Sequence, residues 1–81
     1  MDFKIGTVAI SRAGHDKGDR LAVVRLEGGY ALVCDGKSRP LSKPKLKNLR
    51  HLAATGAVIE LPDTDKKLRK LLREHPIDQE D

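Results

Sequence analysis

Two stretches of this 81-residue chain hold side chains that could do chemistry. The first is the loop Gly14-His15-Asp16-Lys17-Gly18, preceded by Ser11 and Arg12 and followed by Arg20. Glycine lets a backbone turn sharply and approach a ligand closely. Lys17 and Arg12 would then stand beside exposed N–H groups, an arrangement that holds phosphate oxygens. Arg20 and Arg25 would extend the same positive surface. The second stretch is residues 37–51, with Lys37, Arg39, Lys43, Lys45, Lys47 and Arg50 and no acidic residue. Before it stand five basic and five acidic residues, and after it five basic and seven acidic. The whole net charge of +4 therefore originates in one stretch. A local field of this kind attracts a polyanion, either nucleic acid or an anionic membrane. The plainer alternatives are a solvated lysine-rich face and, for the glycines, a simple tight turn.

Within the second stretch, Pro40 and Pro44 stiffen the chain and keep it extended. An extended basic strap suits the phosphates of a folded RNA. The guanidinium groups of Arg39 and Arg50 bridge phosphates or stack on bases better than an ammonium does. Asn48 could read a base edge or cap a turn. His51 is more often a packed or partly exposed residue than a contact.

Other chemistries find little material. Cys34 is the only cysteine, which rules out an intramolecular disulfide and a CxxC metal site. It lies in an apolar run, where a thiol is usually a small buried hydrophobe. His15, His51 and His75 have no zinc-ligand spacing, and no nucleophile elbow, phosphate-loop or dinucleotide signature is present. Asp16 and Asp35 are explained as turn residues. No enzyme activity, metal or cofactor is expected. No run approaches the ~18 apolar residues of a membrane span. Met1-Asp2-Phe3-Lys4 lacks the pattern of a secretory signal, so a cytoplasmic location is expected. Phe3 and Tyr30 are the only aromatics. Peptide grooves, methyl-lysine cages and single-strand stacking platforms all need more. Tyr30 itself is expected to pack in the core. Recognition should then rest on phosphates and shape, and structured RNA is the expected target.

The elements that must position these residues are short. Residues 5–10 and 21–27 read as strands, with the polar loop 11–19 between them. Gly28-Gly29 marks a two-residue hairpin turn into a third strand at 30–34. Asp35-Gly36 is a similar signal, predicting a fourth strand at 37–41 that ends at Ser42-Lys43-Pro44. Residues 48–53 make a fifth strand, Thr55-Gly56 breaks the chain, and 57–61 is a brief apolar run. Residues 63–75 read as a helix capped by Asp63, with Asp65 favourable in its first turn. Leu68, Leu71, Leu72 and His75 fall on one face, which is expected to dock on the sheet. His75-Pro76 stops the helix, and residues 77–81 form an acidic tail. The pattern predicts a mainly β fold, a small barrel of about five strands with a C-terminal helix. The expected division is a barrel unit at 1–56, containing the basic strap 37–51, and an extension at 57–81.

The segment from Gly6 to Gly36, GTVAISRAGHDKGDRLAVVRLEGGYALVCDG, resembles the KOW motif, in which a strand enters a G-x-D-K-G loop and a second strand follows. It is similar to small ribosomal-type KOW proteins and to bacterial stand-alone RNA-binding proteins like them. In those, the hairpin ends in Asp-Gly and leads into a basic, proline-containing segment, here Asp35-Gly36-Lys37-Ser38-Arg39-Pro40 and then residues 43–52. The match covers residues 5–52. It implies an SH3-like barrel and binding to ribosomal RNA, with a ribosome or translation factor as the setting; a monomer is the default for a barrel that hides its edges. His15 departs from the arginine of some family members. The expected RNA contacts are Ser11, Arg12, Gly14, His15, Lys17, Gly18, Arg20, Lys37, Arg39, Lys43, Lys45, Lys47, Asn48 and Arg50. The rival reading is a protein–protein adaptor that uses the barrel or the leucine stripe of the helix. Surface attachment of the helix to membranes would be shallow, with no aromatic anchor.

Overall fold

A computed structural model of the chain describes residues 3–74. Five strands form one antiparallel sheet: β1 (Thr7–Ser11), β2 (Arg20–Glu27), β3 (Tyr30–Cys34), β4 (Lys45–Asn48) and β5 (Leu52–Val58). Their order is β4-β3-β2-β1-β5. One helix follows, α1 (Asp65–Glu74). The fold is thus mainly β with a C-terminal helix, as the sequence predicts. Among the described residues, no helix is long and apolar enough to cross a membrane. The expected helix stop at His75-Pro76 and the acidic tail lie outside the described residues.

β4 and β5 are opposite edges of the sheet, yet only a single 3-10 turn, Leu49–His51, separates them in the chain. Neighbouring strands lie about 4.8 Å apart, so a flat sheet would hold these edges roughly 19 Å apart. Three 3-10 residues rise only about 6 Å. The sheet must therefore curl strongly, and the corner is tied down where the Leu49 N–H donates to Gly29 O at 3.0 Å.

Strand alternation fills both faces of the curled sheet. The inner face buries Ala9, Leu21, Val23, Ala31, Val33 and Leu52, with Phe3, Leu26 and Leu49 packed alongside. A bulge between Val23 and Arg25 opposite β3 shifts the parity of β2 by one. That is why Leu26 joins Leu21 and Val23 although its position number is even. The outer face buries Val8, Ala22 and Cys34, and these meet Ile59, Leu68 and Leu72. The leucine stripe of α1 is therefore the lid of the outer face, as its spacing predicts. It also means that the expected boundary at residue 56 runs through a strand and across a shared core.

Four local expectations need correction. The fifth strand does not run over 48–53: β4 ends at Asn48, a 3-10 turn spans Leu49–His51, and β5 runs Leu52–Val58. The fourth strand does not lie at 37–41. Asp35 Oδ1 accepts from the N–H groups of Lys37 and Arg39, both at 2.8 Å, and folds this segment into a turn. Pro40 and Pro44 then offer no N–H to a ladder, so pairing with β3 resumes only at Lys45. Thr55-Gly56 does not break the chain. It forms a bulge inside β5, where the Thr55 hydroxyl donates to Val8 O at 2.7 Å. The helix cap is Thr64, whose Oγ1 accepts from Lys67 N at 3.2 Å, and not Asp63, which pairs with the Lys67 ammonium. Asp65 Oδ1 instead accepts from Leu41 N at 2.7 Å and fastens the start of α1 to the loop before β4.

Gly36 shows how closely the helix docks. Its φ is +80°, and a Cβ there would lie 2.6 Å from the Asp65 carbonyl oxygen. Only glycine gives both the left-handed turn and the close approach. The Arg69 guanidinium completes the joint by donating through Nη1 to Gly36 O at 2.6 Å.

Candidate nucleic-acid interface

The loop between β1 and β2 is closed at its neck by Ser11 N–H to Asp19 O (3.0 Å) and Gly18 N–H to Ser11 O (2.8 Å). Gly14 and Gly18 take φ of +88° and +91°, which makes the sharp turns possible. The Lys17 amide donates to Gly14 O and the Arg12 amide to His51 O. These N–H groups are thus engaged inside the protein. The amides of Arg12, Lys17 and Gly18 are therefore not free to hold an anion.

Beneath the loop lies a buried ion pair. Lys47 Nζ sits 2.6 Å from Asp16 Oδ1, with the two side chains 8% and 10% exposed. The Ser11 hydroxyl donates to the same oxygen at 2.7 Å, and Lys47 also donates to Ala13 O at 3.1 Å. Burial by itself pushes the Asp16 carboxyl up. The hydrogen bonds from Lys47 and Ser11 and the attraction of the ammonium outweigh that and hold it below the ordinary carboxylate range. Asp16 is thus more than a turn residue; it anchors the loop to β4. Lys47 and Ser11, two of the expected contacts, face inward and are engaged there in support of the loop. Strand parity explains Lys47: it pairs with Ala31, an inner-face residue.

The remaining expected residues divide by position. Arg12, His15 and Lys17 are exposed on the loop, and Lys37, Lys43, Lys45 and Arg50 are exposed on the strap. His15 and Arg39 line a cleft of about 240 Å³ together with Asp16, Asp19, Asp35 and Ser38. That cleft meets a larger one at Asp19 and Asp35, where Arg20 and Lys37 are found. The fold thus brings His15, Arg20, Lys37 and Arg39, far apart in sequence, onto two neighbouring clefts that share Asp19 and Asp35. Arg12 lies on the other flank, beside His51. Lys43, Lys45 and Arg50 line neither cleft. Asn48 caps the 3-10 turn, accepting from Arg50 N at 2.9 Å. Arg25 is paired with Glu27 at 3.1 Å.

Three further residues fall outside the expectations. Tyr30 is 45% exposed at the end of the hairpin and does not pack in the core. Arg69 and Arg73 of α1 line the larger cleft, a role that their i, i+4 spacing hints at but does not identify. Cys34 is buried, and its thiol donates weakly to Pro40 O at 3.4 Å. Burial, then the charges of Asp65 and Asp35, push that thiol up to about 11, so it stays protonated near neutral pH. Among the described residues, no group of three or more His, Cys, Asp or Glu side chains could hold a metal ion. No protein-family model matches the chain, and no curated protein matches it either.

Proposed function

We propose that the protein is a non-catalytic RNA-binding module that holds structured RNA by its phosphates and its shape. The observation that carries this reading is the gathering of His15, Arg20, Lys37 and Arg39 around two neighbouring clefts beside the exposed cations of the loop. Cationic side chains on a rigid support suit a phosphate backbone, and the scarcity of aromatic residues argues against base stacking as the main contact. The buried Asp16–Lys47 pair gives the loop its fixed shape. The KOW resemblance of residues 5–52 points further, to ribosomal RNA and a ribosome- or translation-associated role; a cytoplasmic monomer is the accompanying expectation. An adaptor role through the leucine stripe would have to strip Leu68 and Leu72 from the protein's own core.

The test is capture of RNA from a lysate at low salt, comparing wild type with Lys17→Glu plus Arg39→Glu. The expected result is a structured RNA enriched by the wild type and lost, by roughly tenfold or more, in the double variant at an equal concentration of folded protein. Affinity should also fall steeply with added salt. Equal capture by both proteins, or a flat salt response, contradicts the reading.

A further inference from the structure

Two of the five cations of α1, which are Lys66, Lys67, Arg69, Lys70 and Arg73, have a carboxylate partner among the described residues. Lys67 and Lys70 are matched to Asp63 and Glu74, at 3.2 and 4.0 Å. Arg69 and Arg73 have no carboxylate within ion-pair distance among the described residues, and both border the larger cleft. This cleft, about 520 Å³, runs between the C-terminal half of α1 and the two turns that carry Gly18 and Lys37. Four cationic side chains line it, Arg20, Lys37, Arg69 and Arg73, against two carboxylates, Asp19 and Asp35. Asp35 is already held by the N–H groups of Lys37 and Arg39. The C-terminal end of a helix adds only about half a negative charge, so the cations dominate.

Two buried donors sharpen the picture. Arg20 Nε and Arg39 Nε are both shielded from solvent and have no hydrogen-bond partner. Arg20 lines the larger cleft and Arg39 the smaller one beside it. A buried guanidinium N–H without an acceptor is unfavourable, so each side chain stands to gain by turning its Nε out to an acceptor oxygen held in the cleft. Arginine also suits this task, since its planar fork matches a phosphate better than an ammonium does.

We infer that the cleft between α1 and the two turns is a phosphate seat for the RNA backbone, with Arg73, Arg69, Lys37 and Arg20 as its ligands. The inference rests on the RNA-binding reading and extends the interface from the loop onto the helix. α1 then has two faces with two tasks: its leucines close the outer core, and its arginines hold the backbone of an RNA that continues past the loop. Asp19 is the one carboxylate of the seat without a hydrogen bond of its own among the described residues. It opposes the phosphate and sets the strength of the site.

The test measures binding of a labelled A-form RNA duplex by fluorescence anisotropy across a salt series. Wild type is compared with Arg73→Ala, Lys37→Ala, Asp19→Asn and, as the loop control, Lys17→Glu. Arg73→Ala and Lys37→Ala should each weaken binding roughly tenfold and reduce the slope of log K against log salt by about one. Arg73→Lys should recover part of the loss, and Asp19→Asn should bind more tightly than wild type. Unchanged affinity and slope in Arg73→Ala, with Lys17→Glu still weakened, overturns the seat and leaves the RNA reading standing. No binding by wild type at low salt overturns both.

Discussion

The turn at residues 35–39 and the strand β4 belong to one basic segment, and the fold treats their charges in opposite ways. In the turn, the Asp35 side chain takes up two backbone N–H groups and leaves the Lys37 side chain exposed at the larger cleft. In β4, pairing with β3 fixes which side each residue faces, and Lys47 is turned under the loop onto Asp16. The two lysines are the same residue type ten positions apart. What separates them is that a strand enforces a period of two and a turn does not. One lysine shapes the interface from below, while the other is available to a ligand.

Breaking the buried side of this comparison should have the largest effect. Lys47→Ala leaves the Asp16 carboxylate buried without its cation and should cost about 3–5 kcal/mol of stability, read from the urea midpoint. Asp16→Asn plus Lys47→Met removes both charges and should cost clearly less than Lys47→Ala. A double variant as unstable as the single one would mean that packing of the lysine stem, and not the ion pair, matters there.

Next in size are the contacts by which α1 covers the outer face. Leu68 is fully buried against Val8, Ala22 and Cys34, so Leu68→Ala should cost about 3 kcal/mol. Gly36→Ala places a Cβ against the Asp65 carbonyl at a positive φ and should cost about 2 kcal/mol. Both should also speed alkylation of Cys34, which the helix helps to bury. Thiol labelling against urea concentration would register the opening of this joint.

The two sides of the molecule were unequally legible. The strands β2 and β3, the turn between them and the leucine stripe were readable because each rests on local pattern: alternation, Gly28-Gly29, and a 3.6-residue period. The fourth strand was misplaced because Lys37 to Leu41 has the length and turn signal of a strand. The competing side chain, Asp35, acts within a few residues and leaves no periodic trace. At the site, the exposed cations Arg12, Lys17 and Lys37 were legible from charge and loop composition. The Asp16–Lys47 pair was not, because its members stand 31 positions apart and only the sheet register brings them together. Arg69 and Arg73 were hidden for the same reason, since their cleft exists only once the helix has docked.

A pH series should separate the two regions more gently. Asp16 has a folded-state pKa below its ordinary value of 3.8. Its contribution to stability is therefore complete above the unfolded value and is lost as pH falls through the folded one. Stability should hold level from pH 7 to about 5 and decline below about 4. Asp16→Asn plus Lys47→Met should show a shallower decline over the same range. An identical acid limb in the two proteins would assign the acid sensitivity to other carboxylates.

The smallest expected effect on stability is at Lys37. Its side chain makes no hydrogen bond or ion pair among the described residues, so Lys37→Ala should change stability by no more than about 0.5 kcal/mol. Its effect on RNA should be of the opposite rank, because a side chain free of internal partners loses nothing by turning to a phosphate. Lys47→Ala should show the reverse: a large loss of stability and, in whatever fraction remains folded at low temperature, RNA affinity reduced only as far as the loop loosens. Measuring melting temperature and RNA affinity on both variants gives four numbers. Lys37 high in the binding column and low in the stability column, with Lys47 exchanged, is the pattern that a working surface above a buried clamp must produce. Equal ranks in both columns would mean that the loop and the clefts are one structural unit with no division of labour between them.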